Sequence, residues 1–279
     1  MRKIITALFT FIVMVGSMTT VSFADTAENE KTAEAYEATG DYLESLGTPV
    51  TGNVGGEWMA LGLLRSGRSV DEGYYDSVVE YVEENCDGDS RIHHVKSTEN
   101  SRLIIALTAM GKDVTDVEGY NLLKGLNDLE YVEAQGLNGP IWALIAFDSG
   151  HYPMPEGTLT REDLISTILE AQNSDGGWAL TGDAADPDMT GMALQALAPY
   201  CPENEDVSAA VEKALECLSA MQDEDGGFST SFNGGKTATS ESIAQVVVAL
   251  TALDIDPDTD ERFVKNGSSA MDALLTYFV

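Results

Sequence analysis

The sequence predicts an all-α protein of helical hairpins arranged in two concentric layers, and three observations carry that prediction. Alanine-rich apolar stretches recur along the chain, helices with a single apolar stripe lie between them, and a glycine-rich turn joins the two kinds twice in the same register. The recurring stretches are MALGLLRSG from Met59, RLIIALTAMGKD from Arg102, IWALIAFDSG from Ile141, MALQALAPY from Met192 and AQVVVALTALDID from Ala244. Neighbouring copies stand about 40 to 55 residues apart, the length of one helical hairpin. Small and aliphatic residues on nearly every face mark these as helices covered on both sides.

The intervening segments carry one apolar stripe and an acidic outer face. The stripes are Tyr75, Val78, Val79 and Val82; Leu164, Ile165, Ile168 and Leu169; Val207, Val211, Leu215 and Leu218; and Met271, Leu274, Leu275 and Phe278. Thr160 with Asp163, and Ser269 with Asp272, supply N-cap and N3 carboxylate pairs. One-sided helices shielding two-sided ones argue for an inner and an outer layer, which a ring satisfies; an open solenoid is the alternative. The pattern gives six outer helices, near 28–46, 71–85, 117–132, 160–172, 206–221 and 268–279, against five inner ones. That count predicts either a reading frame continuing past Val279 to a last inner helix or a ring open at that seam.

The two turns are Gln172-Asn173-Ser174-Asp175-Gly176-Gly177-Trp178 and Gln222-Asp223-Glu224-Asp225-Gly226-Gly227-Phe228, fifty residues apart. In each, a helix ends at Gln, paired glycines permit a left-handed reversal, and an aromatic lands on the next layer.

Gln172 to Trp178 matches in full the Q-x-x-x-G-x-W motif of the prenyltransferase and squalene cyclase repeat superfamily, and Gln222 to Phe228 matches it with Phe for Trp. The chain therefore resembles that superfamily over essentially its whole mature length, and the resemblance implies an α/α toroid, of the α6/α6-barrel kind, in one domain from 25 to 279. In overall look it is similar to secreted bacterial proteins that share this toroid with cobalamin carriers of the transcobalamin and intrinsic-factor type. These motifs specify fold rather than chemistry.

Met1 to Ala24 reads as a cleaved secretory signal: Arg2 and Lys3, an apolar run from Ile4 to Val15, and a small-residue exit at Ser22-Phe23-Ala24. The mature chain is expected to start near Asp25, outside the cytoplasm, with no transmembrane segment. Without Arg2 and Lys3, 13 basic residues face 47 acidic ones, a formal charge of −34. Nucleic acid and anionic lipid are disfavoured as partners. The acidity itself reads as solubility and self-repulsion, or as affinity for cationic ligands. Cys86, Cys201 and Cys217 allow at most one bridge, with Cys201 and Cys217 the closer pair, and otherwise read as small apolar residues.

Several chemistries fail on residue type. No Cys or His spacing around His93, His94 or His151 makes a zinc ligand set, and the Cys-Gly-Glu-Gln run of thioester toroids is absent. The Asp-rich turns place Ala184 and Gly234 where a calcium loop needs Glu. A class II terpene cyclase resemblance calls for D-x-D-D-T; the chain has Asp186-Pro187-Asp188-Met189-Thr190, so Asp188 stands as the candidate acid without its neighbour. Capping of the helix by Asp188 or Thr190 is the competing reading.

Polar residues remain at the starts of the inner helices: Glu57 and Trp58, Glu99 and Asn100, Asn138 with Trp142, Asp186, Asp188 and Thr190, and Ser240 with Glu241. Parallel inner helices are expected to gather them at one mouth of a central cavity, as a small-molecule site. The leading expectation is a secreted, monomeric, non-catalytic toroid binding an amphipathic ligand there, with a corrinoid implied by the resemblance. The alternatives are a structural or adhesive surface module that binds another surface protein, and a degenerate cyclase using Asp188.

Overall fold

A computed structural model describes residues 27–232 and 235–278. The predicted signal sequence, Met1 to Ala24, and the mature start near Asp25 lie outside the described residues. The described chain is mostly helical, as the periodicity predicts, with two short antiparallel strand pairs, 229–232 with 235–238 and 264–265 with 268–269. It forms two compact units, Glu44–Ala171, and Gln172–Val279 together with the chain up to Leu43.

Glu44–Ala171 holds α2 (Val54–Arg65), α3 (Glu72–Asn85), α4 (Ser97–Ala109), α5 (Leu129–Glu133), α6 (Asn138–Ser149) and α7 (Arg161–Glu170). α4 packs on both α2 and α6, and α7 packs on α6. The two kinds of helix are plain in their burial. Leu103 to Leu107 of α4 and Ala143 to Phe147 of α6 are buried consecutively, so every face is covered. α7 buries only Leu164, Ile165 and Ile168, and α3 only Tyr74, Val78 and Val82. The α3 stripe therefore runs through Tyr74 rather than Tyr75, which stays half-buried beneath the Lys112 ammonium, 4.1 Å from its ring.

The second unit holds α1 (Ala27–Ser45) up to Leu43, α8 (Pro187–Leu197), α9 (Glu205–Met221), α10 (Ser240–Ala252) and α11 (Ala270–Leu275). α1 buries Ala35, Thr39 and Leu43, one residue per turn. α8 packs along α10, with α9 against α8 and α11 against α10. The α8–α10 approach is close because Gly191 lacks a side chain: a Cβ there would lie 2.9 Å from the Gln245 carbonyl.

Four of the two-sided helices end in the same way. Arg68 N–H bonds Leu63 O at 2.9 Å, Lys112 bonds Leu107 at 3.0 Å, Tyr152 bonds Phe147 at 2.9 Å and Ile255 bonds Leu250 at 2.9 Å. The left-handed residue that each such reversal needs is Gly67, Gly111, His151 or Asp254. α8 departs from the rule and runs into a 3₁₀ turn, Ala198–Tyr200.

Two predicted outer helices are shorter than expected. Residues 117–128 form a loop with one 3₁₀ turn at Lys124–Leu126, because Glu118 and Gly119 take positive φ and Asp116 and Asn121 bond the backbone two or three residues on. Val117, Leu122, Leu123 and Leu126 of that span are nevertheless buried, anchoring the loop until α5 begins. Of the described residues of 268–279, only Ala270–Leu275 are helix; Ser268 and Ser269 pair with Val264 and Lys265 across a turn at Asn266 and Gly267. The Ser269–Asp272 capping box is present, as is that of Thr160 and Asp163.

The glycine turns repeat bond for bond. Gln172 Nε2 donates to Gly176 O (2.7 Å) and to Ala210 O of α9 (2.8 Å); Gln222 Nε2 donates to Gly226 O (2.9 Å) and Phe263 O (2.8 Å). Asn173 N–H bonds Gly177 O and Asp223 N–H bonds Gly227 O, both at 2.8 Å, while Asp175 and Asp225 accept from the second glycine's N–H. Gly176 and Gly226 carry the positive φ, and Trp178 and Phe228 are fully buried.

Candidate functional site

Each candidate residue has a place at a helix start, and for most the hydrogen bonds give it a duty in the fold. Thr190 Oγ accepts from Trp178 N–H at 2.9 Å and returns its own proton to Trp178 O at 3.2 Å. Asn100 accepts from Ile92 N–H at 3.0 Å and donates to Ser90 O and Leu122 O. Glu57, fully buried, accepts from Gly52 N–H at 2.6 Å. In all three the first turn of a two-sided helix satisfies a backbone group of the preceding turn, which for the buried Ile92 and Trp178 would otherwise stay unpaired at about 1–3 kcal/mol. Asp186 is the N-cap of α8, accepting from Asp188 and Met189 N–H at 3.0 and 3.1 Å. Capping therefore belongs to Asp186, and neither Asp188 nor Thr190 performs it.

Glu57 and Glu99 converge on one cation. Arg102 Nε donates to Glu57 at 2.9 Å and a second guanidinium N–H donates to Glu99. Arg102 is buried, so this is a partly desolvated triad of two carboxylates on one guanidinium. Burial pushes the Glu57 carboxyl above its ordinary value, against the opposing pull of Arg102 and the Gly52 N–H. Sequence reading missed Arg102; its trace there is a lone basic residue inside an apolar helix, three positions after Glu99.

Trp58, the residue after Glu57, is in ring contact with Trp142, with centroids 5.0 Å apart and planes at 51°. Both are half-buried, as is Asn138, one turn before Trp142 on α6. α2 and α6 each pack on α4, and their indoles meet. An open groove of about 390 Å³ between Thr48–Thr51 and the Ser77–Tyr81 face of α3 contains none of the candidates.

In the other unit, Asp188 faces α10. Burial raises its carboxyl to about 6; a Ser242 hydrogen bond opposes this, and the Asp186 and Glu241 charges add to it. Asp188 Oδ1 is buried without a partner. Glu241 accepts from Ser240 Oγ at 2.9 Å. Lower on the same interface Gln195 donates to Gln245 Oε1 at 2.8 Å, and Gln195 Oε1 is also unpartnered. These glutamines stand fifty residues apart, the period of the two glycine turns, and that spacing was available to find them.

Asp188 supplies a pH-dependent prediction. Its carboxyl titrates near 6 folded and near its ordinary 3.8 unfolded, so the folded state holds the proton more tightly between those values. Asp188 is thus neutral in effect below about pH 4 and destabilising above pH 6, where the buried carboxylate is charged. Asp188→Asn is expected to stabilise the protein by about 1–2 kcal/mol at pH 7.5, after allowing for residual solvent, and by nothing at pH 4. Urea unfolding at both pH values checks this; equal effects would show that the charge is not the cause.

Among the described residues no group of three or more His, Cys, Asp and Glu is placed to hold a metal ion, and no helix is long and apolar enough to cross a membrane. His93 and His94 stack on each other, and His93 Nδ1 accepts two backbone N–H bonds at the start of α4. Cys86, Cys201 and Cys217 are all free thiols, so the pairing open to Cys201 and Cys217 is not made. No family model matches the chain, and no curated protein matches it.

Proposed function

We propose that the mature chain is a secreted, non-catalytic α/α toroid that binds a small amphipathic ligand at the starts of its inner helices. The single observation carrying this reading is the Trp58–Trp142 pair. Two large aromatics from separate helices are brought together yet left half in solvent. Closure into a ring is supported by the alternation of one-sided and two-sided helices and by the repeated turns and reversals. Against acid catalysis by Asp188 stands Met189, which occupies the place of the neighbouring acid in the cyclase motif.

The test is tryptophan fluorescence, with fully buried Trp178 as the shielded reference among the three indoles. A corrinoid and a panel of aromatic and sterol-like amphiphiles are titrated into the wild type, Trp58→Ala and Trp142→Ala. A saturable change is expected for at least one ligand, weakened about tenfold or more by either substitution, since indole hot spots are worth at least about 1.4 kcal/mol. No saturable change with any ligand, or unaltered affinity in both variants, overturns the proposal.

A further inference from the structure

Resting on that reading, we propose that the indole pair receives the head group of a tertiary or quaternary ammonium ligand. Two aromatic planes meeting at 51° with centroids 5.0 Å apart form an open angle rather than a stack, which is two walls of an aromatic cage. The negative π-faces of such walls attract cations, and indole is the most effective ring for it.

The charge on the neighbouring helix starts has the same sign preference. Glu57, adjacent to Trp58 in the chain, and Glu99 share the single guanidinium of Arg102, so the triad carries one negative charge in excess. Arg102 is already engaged by both carboxylates and is no anchor for an anionic group. The whole chain adds a formal charge of −32, a field that concentrates cations at its surface.

Hydrogen bonding then selects among cations. A primary ammonium brings three N–H donors that need acceptors once desolvated. Glu57, next to Trp58 in the chain, already accepts from Gly52 N–H and Arg102, and one oxygen of Glu99 accepts from Arg102. An alkylated ammonium has few donors or none and loses little hydration, so it suits a site offering π-faces and net charge rather than free acceptors.

The probe is choline, compared with 3,3-dimethyl-1-butanol, its neutral isostere, by tryptophan fluorescence on the full mature chain. Choline is expected to give a saturable change, at least ten times stronger than the isostere, weakened by added salt and lost in Trp58→Ala and Trp142→Ala with little change in melting temperature. Sedimentation with phosphatidylcholine vesicles separates the sources of this chemistry. Co-sedimentation assigns a lipid head group, and choline binding without it assigns a free ligand, either supporting the proposal. Equal binding of the isostere overturns the cationic assignment and leaves amphipathic binding at the indoles standing. Binding of some other amphiphile with no response to choline does the same, whereas no response to any ligand removes both.

Discussion

Replacing Trp178 with alanine is expected to lower the unfolding free energy by about 3–5 kcal/mol, the range for a large aromatic removed from a packed interior. The indole is fully buried, and its backbone is held from both sides by Thr190, so the surroundings cannot readily collapse into the space. The turn before it is equally constrained. Gly176 has φ +95, and a Cβ there would lie 2.7 Å from Lys213 O; Gly177, without positive φ, would press a Cβ to 2.5 Å from Ala185 Cβ and 2.7 Å from Thr190 Oγ. Valine at either position is expected to be destabilising by about 1–3 kcal/mol, at Gly176 through backbone strain and at Gly177 through overpacking. Thermal melts of the three variants check this, and unchanged midpoints would show that the turn does not join the layers.

The glycine turns were legible because their chemistry is carried by residue types with few substitutes. Only Gln both spans to the turn carbonyl and reaches the next helix, and glycine is the easy occupant of the left-handed position. A third copy was not legible. At Cys86 to Ile92, Asp87 N–H bonds Arg91 O at 3.1 Å and Ser90 N–H bonds Asp87 O at 3.0 Å, the same backbone ring as in the other two turns. Ser90 takes the left-handed φ of +61, Ile92 fills the aromatic's place, and Asn100 accepts the Ile92 N–H as Thr190 accepts that of Trp178. The backbone geometry persisted while the Gln, both glycines and the aromatic were replaced by Cys86, Ser90, Arg91 and Ile92.

The candidate residues divide on the same principle. Polar residues at helix starts were visible, but whether such a group bonds the preceding turn or stays available depends on a backbone five to twelve residues away. Glu57, Asn100 and Thr190 proved to be fastenings, Asp186 a cap, and Glu99 a partner of Arg102. The indoles kept their exposure. Residues 117–132 misled because buried Val117, Leu122, Leu123 and Leu126 imitate a helical stripe, while Gly119 and Asn121 direct a loop.

Arg102→Met is expected to be destabilising by about 3–5 kcal/mol at pH 7.5, because it strands a buried carboxylate rather than removing an interaction of that net worth. Glu57 is fully buried and is already pushed above its ordinary value of 4.5 with the guanidinium in place. Without Arg102 the opposing pull is lost and the folded-state value rises further. The folded protein then binds a proton that the unfolded chain releases above about 4.5, so the deficit grows with pH and is small at pH 4. Glu57→Gln in the Arg102→Met background keeps an acceptor for Gly52 N–H while removing the charge, and is expected to restore most of the loss at pH 7.5. Urea unfolding of the single and double variants against wild type at each pH separates charge from packing. A loss equal at pH 4 and pH 7.5, and not repaired by Glu57→Gln, would mean that Arg102 acts through its aliphatic stem.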